Sequence, residues 1–168
     1  MSSIFYQASI PVFIRVLKNL DAFFEKALRH AEAAKFSPDV LLNARLYPDM
    51  HPFSRQIKIA TNTATGVAAR LAGQEPPVLG HDEVSVDAVK ARIAAAIAYL
   101  QTLDEGALAG AEERTIEITR QDQTVTWVGR DYLFNYGLPN LYFHVTTAYA
   151  LLRHNGVPVG KRDFLGSH

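Results

Sequence analysis

Apolar residues recurring at intervals of three and four constrain this chain more than any other feature, because that spacing puts them along one face of an α-helix. The first such stripe runs through Phe13, Val16, Leu17, Leu20, Phe24, Ala27, Leu28 and Ala31, with Arg15, Lys18, Asn19, Glu25, Lys26 and Arg29 mostly on the other positions. Pro11 suits the first turn of this helix or an early kink. Ser37-Pro38 offers an N-cap followed by a proline in the first helical position, so Asp39 to Asn43 is expected to form a short helical connector. A second stripe, Phe53, Ile57, Ala60, Ala64, Val67, Ala68 and Leu71, lies between Pro52 and Gly73, a pairing that suits helix start and stop. The segment Gln74 to Asp82, with Pro76, Pro77 and Gly80, reads as a loop. Ser85 then caps a third helix that turns Val89, Ile93, Ala96, Ile97, Leu100 and Leu103 inward.

The period changes to two after Gly110, where Ile116 and Ile118 alternate with Thr115, Glu117 and Thr119, and Val125 and Trp127 alternate with Thr124 and Thr126. Two strands joined by Arg120 to Gln123 predict a hairpin that must lean on the helices, since two strands alone are marginally stable. Helical spacing returns with Leu133, Tyr136, Phe143, Thr147 and Leu151 and stops at Asn155-Gly156-Val157-Pro158. Pro139 removes the hydrogen bond to the Asn135 carbonyl and predicts a kink or local opening. Val159 to His168 has no periodicity and is expected to lie across the surface. The expected fold class is therefore all-α, a four-helix bundle with a small β-hairpin between the third and fourth helices. A chain of 168 residues can bury its own core, so residues 1–168 are read as a single domain.

The composition, 48% hydrophobic and 20% charged, is that of a globular protein. With no cysteine, the chain excludes disulfides, thiolate-held clusters and cysteine nucleophiles. Seventeen basic residues balance seventeen acidic ones, which argues against nucleic acid or an anionic membrane as a partner. No stretch has the length of a membrane-spanning helix, and Met1 to Phe13 lacks the pattern of a secretory signal, so a cytoplasmic location is expected. Gly-rich phosphate loops, His-Glu-x-x-His helices and serine nucleophile elbows are absent from the sequence.

Asn140 and His144 are the most informative polar pair, four residues apart and aligned with the inward stripe of the last helix. Helical bundles assemble metal and ligand sites from such positions. The same pair also suits a buried histidine hydrogen-bonded to an asparagine or a carbonyl. His51, ahead of the second helix, suits a capping or exposed residue first and is otherwise the candidate for a further metal ligand. His154 lies ten residues beyond His144, about 15 Å along an ideal helix, too far to share an ion. His30, His81 and His168 have no companions at ligand spacing. Asn43, Arg45 and Asp49, with Lys161, Arg162 and Asp163, suit anion binding or mutual surface pairing. Tyr132, Tyr136, Tyr142, Phe143 and Tyr149 can line a pocket or fill the core.

With Tyr6-Gln7-Ala8-Ser9, Pro11-Val12-Phe13, Leu42-Asn43-Ala44-Arg45-Leu46, Pro48-Asp49-Met50, Asn140-Leu141-Tyr142-Phe143-His144 and Gly160-Lys161-Arg162-Asp163-Phe164-Leu165-Gly166, the chain resembles a bacterial domain-of-unknown-function family within the DinB/YfiT-like superfamily of metalloenzymes. The resemblance spans nearly the whole chain. It implies a four-helix bundle with a nonstandard helix order, assembled as a homodimer. It also implies a metal-binding histidine near the start of the second helix and two more, four apart, in the last. His51 matches the first of these and His144 one of the pair, while Asn140 stands where the other histidine would be.

Asparagine is a weak substitute for imidazole at a zinc or nickel site. The expected function is therefore a homodimeric module for a small molecule or a protein, with a degenerate metal site and Tyr136, Asn140 and His144 in the pocket. The alternative is a divalent-metal enzyme of hydrolase or thiol transferase type that uses His51 and His144, helped by Asn140, to hold zinc or nickel.

Overall fold

The computed structural model describes residues 3–80 and 84–166. Asp82, which closes the expected loop, and His81 and His168 lie outside the described residues. The structure is mostly helical, with one two-stranded antiparallel hairpin. Helix α1 (Ile4–Gln7) leads into α2 (Ile10–Ala33), with Pro11 in its first turn, and α3 (Asp39–Leu42) is the short connector. Next come α4 (Phe53–Leu71) and α5 (Val86–Gln101), the latter capped by Ser85 Oγ, which accepts the Ala88 amide proton at 3.1 Å. Strands β1 (Thr115–Arg120) and β2 (Gln123–Val128) are followed by a short helical turn α6 (Gly129–Asp131), a π-helical stretch over Tyr132–Gly137, and α7 (Leu138–His154).

Four long helices, α2, α4, α5 and α7, carry the core, and the short helical segments between and beyond them make the fold richer than a plain four-helix description. Helix α2 packs chiefly on α5, α5 on α4, and α4 on α7, so spatial order differs from chain order. Helix α4 is the most enclosed: every residue from Ala64 to Ala69 is buried. Its threonines satisfy themselves within the helix, Thr61 Oγ1 donating to the Ile57 carbonyl at 2.9 Å and Thr65 Oγ1 to the Thr61 carbonyl at 3.0 Å.

The hairpin pairs Ile116 with Trp127 and Ile118 with Val125, so these four side chains share one face. Ile116 is buried, and Trp127 packs on Tyr132 and Tyr136, fixing the hairpin against the start of the last helical run. This is the helical support that two strands need.

Two expectations are corrected, and a third takes a specific form. The opening expected at Pro139 takes the form of the π stretch just before it, where the Leu138 amide reaches back five residues to the Leu133 carbonyl. Because a π turn holds more residues than an α turn, the apolar phase does not carry across it. Phe143, expected inward, is 58% exposed, while Leu141, Val145, Ala148 and Leu152 fill the core beside Thr147 and Leu151. The tail lies across the surface but is not irregular: it contains α8 (Lys161–Leu165), docked on α2. Asp163 accepts the Gly160 amide proton at 2.8 Å and pairs with Lys26 at 2.7 Å, and Asn19 donates to the Phe164 carbonyl at 3.0 Å. These polar contacts, with Val159 buried and Phe164 packed edge-on against Tyr149, hold the tail in place.

Gly129 joins the hairpin to the last helical run at a point where a Cβ would lie 1.8 Å from the Ala111 carbonyl oxygen. Backbone cannot yield there as a flexible side chain would. Gly129→Ala is expected to destabilise the fold by about 1–3 kcal/mol, as overpacking does, measured by urea unfolding. An unchanged midpoint would mean that the Ala111 turn moves aside freely.

Candidate functional site

Between α4, α7, the hairpin and the loop Pro76 to Gly80 lies a cavity of about 710 Å³. Tyr136, Asn140 and His144 all line it, on a face of the last helical run that is only half-buried. Placement at the edge of the core, not in its middle, is what lets these groups meet a cavity. Helix α4 supplies the facing wall through Lys58, Asn62, Thr63 and Arg70, and α5 adds Arg92. Tyr132 and Tyr136 stack with ring centroids 5.4 Å apart and planes within 12°, closing the end nearest the hairpin.

His144 is held by Gln56, a residue of α4 that is 2% exposed. The direction of that bond follows from the partners available. Gln56 Nε2 donates to the His51 carbonyl at 3.0 Å, so its Oε1 faces the ring and accepts a proton from His144 Nδ1 at 2.7 Å. The neutral ring therefore carries its proton on Nδ1, and Nε2 keeps its lone pair. Desolvation by burial, and the neighbouring His51, hold His144 below the ordinary imidazole value. Near neutral pH it is an uncharged acceptor.

Asn140 uses its amide nitrogen to donate to Thr63 Oγ1 at 3.1 Å. His51 is exposed and opens on a neighbouring hollow of about 320 Å³, which also includes Asn43 and Arg45. Lys58 and Arg92 line both spaces. Thus Tyr136, Asn140 and His144 share one cavity, and His51 approaches from the adjoining side. Among the described residues, no three His, Cys, Asp or Glu side chains form a group that could hold a metal ion. Asn140 donates through its nitrogen and has only a carbonyl oxygen to offer beside His51 and His144, a donor set that does not fit a three-ligand zinc or nickel centre.

The other candidates lie elsewhere. Asn43 donates to the Asp39 carbonyl, Lys161 and Arg162 are exposed on α8, and His154 is exposed at the end of α7. His30 packs edge-on against Phe36. Tyr142 is exposed, and Tyr149 packs between Phe23 and Phe164. Sequence reasoning missed Gln56, Arg70 and Arg92. For two of these a signal existed: Gln56 falls three after Phe53 and Arg92 three after Val89, polar residues at the spacing of a buried stripe.

The model of the family described as Domain of unknown function (DUF1993) matches residues 5–165. The chain belongs to this family. It is also similar to a solved structure described as a DinB family member protein from Shewanella denitrificans, with 41% identity and a TM-score of 0.91. That match covers 98% of this chain and 93% of the other. No curated protein matches. The DUF1993 chain is thus DinB-like in sequence and fold, and no helix among its described residues is long and apolar enough to cross a membrane.

The depressed His144 has a defined consequence for metal-free protein. As pH falls, the unfolded chain takes up this proton first, near 6.5, so the stability present above that value is lost as pH drops through the lower folded value. Unfolding free energy should fall more steeply on acidification in the wild type than in His144→Gln. In an NMR titration the His144 midpoint should lie below 6.5 and rise toward it in His51→Ala. Equal slopes and an unshifted midpoint would refute the depressed imidazole.

Proposed function

We propose that this chain is a homodimeric small-molecule-binding module in which the metal position of the DinB-like fold is degenerate. The observation that carries the reading is the commitment of His144 Nδ1–H to Gln56, which leaves Nε2 as a fixed acceptor lining a cavity of about 710 Å³. A space of that size suits a small organic ligand. His144 and Asn140 orient the ligand, and Tyr136 gives it a flat apolar wall. The dimer is supported by Phe134, Tyr142 and Phe143, large rings left 42%, 37% and 58% exposed along the last helical run.

A second reading, a divalent-metal enzyme using His51 and His144, is favoured by the charge of His51, which adds to burial in lowering His144. The donor set argues against it, since no third His, Cys, Asp or Glu joins them among the described residues.

Elemental analysis separates the two. Tag-free protein exposed to zinc or nickel near neutral pH and then stripped of excess metal is expected to retain no stoichiometric ion, in the wild type and in His144→Ala alike. About one ion per chain, lost in the variant, would replace the binding module with the metalloenzyme. Sedimentation analysis is expected to give the mass of a dimer, reduced to that of a monomer by Phe143→Glu. A monomeric wild type removes the dimer from the proposal.

A further inference from the structure

Basic side chains line one side of the cavity, and no expected site residue accounts for them. Lys58, Arg70 and Arg92 all line it, and no carboxylate does among the described residues. Arg92 is 8% exposed, its guanidinium donating to Asn62 Oδ1 at 3.1 Å and to the Gly80 carbonyl at 3.4 Å.

Arg70 is the decisive member. Its Nη1 donates to the Gly66 carbonyl at 3.0 Å and approaches the Tyr132 hydroxyl at 3.5 Å, both neutral partners, and it forms no ion pair with a described residue. The guanidinium occupies space that Gly66 leaves open, for a Cβ on Gly66 would lie 3.0 Å from the same nitrogen. Glycine in a helix interior is unfavourable, and α4 holds one where the arginine folds back. Two neutral acceptors leave a five-donor group with capacity to spare. A guanidinium so held presents its remaining N–H groups as a planar fork matched to two oxygens of one anion.

We infer that the Arg70 side of the cavity is an oxyanion subsite, and that the ligand is a small molecule bearing a carboxylate or phosphoryl group. Its anionic end meets Arg70, and its remainder reaches toward Tyr136, Asn140 and His144. This inference rests on the binding-module reading and names the ligand class of the same cavity.

The test uses inorganic phosphate, acetate and the neutral acetamide as probes, each titrated to tens of millimolar at constant ionic strength, with the Arg70 Nε–Hε resonance followed by NMR. Phosphate or acetate is expected to shift that resonance saturably, and acetamide is not. The anion that saturates at lower concentration identifies the group. Arg70→Gln should weaken anion binding about tenfold or more, as loss of a charge-assisted pair does, read from the Tyr136 and His144 resonances. Arg70→Lys should keep part of it, and Arg130→Gln, the same charge loss on the exposed surface, should change nothing. The wild-type titration does not depend on any variant folding. Saturable shifts at Tyr136 and His144 with Arg70 unmoved would overturn the anion subsite while keeping the cavity as a binding site. Response to acetamide alone would do the same, and silence of every cavity residue would overturn both.

Discussion

Helix α4 sits between α5 and α7 so closely that any polar atom on its buried faces must find a partner inside the protein. The helix meets that demand in two ways. Thr61 and Thr65 turn back on their own backbone, which uses the single donor of each hydroxyl locally. Gln56 instead reaches outward, to the His51 carbonyl on one side and His144 on the other. The position of His144, the tautomer of its ring and the link to the chain ahead of α4 thus follow from satisfying one buried carboxamide. Leaving either end of that amide unpaired would cost about 1–3 kcal/mol.

Much of the fold was legible because it is local. The stripes of Phe13 to Ala31, Phe53 to Leu71 and Val89 to Leu103 each lie on a helix of the structure or within two residues of its end, and the alternation around Ile116 and Trp127 marks a real hairpin. What could not be read is long-range or phase-dependent. Phe143 fits an inward stripe only if the helix runs unbroken from Tyr136, and the π stretch breaks it. The tail helix depends on Lys26 and Asn19, more than 130 residues away in the chain, by way of Asp163 and Phe164.

The candidate site divides in the same manner. Tyr136, Asn140 and His144 could be singled out from spacing, and they do share a cavity. Arg70 could not, since nothing in the sequence near it says which space the helices enclose, and the spacing that puts Arg92 on a buried stripe does not say which cavity it meets. The charges near Arg45 and Lys161 stand out as clusters in the sequence but lie outside this cavity. The DinB-like frame is shared with a relative of 41% identity, but a shared frame does not by itself fix what the side chains lining its cavity do.

The π stretch at Tyr132–Gly137 also sets an angle. Each residue of an α-helix turns the chain by about 100°, so a change of one residue within this stretch would rotate everything beyond it by roughly that amount. The core-facing side chains of α7 and the cavity-facing pair Asn140 and His144 would swing together. The stretch therefore works as a rotational offset between the hairpin, which anchors its start through Trp127, and the helix that carries the site. A single insertion or deletion there is a way for one fold to point different faces of the same helix into the same space, without altering the length of any other element.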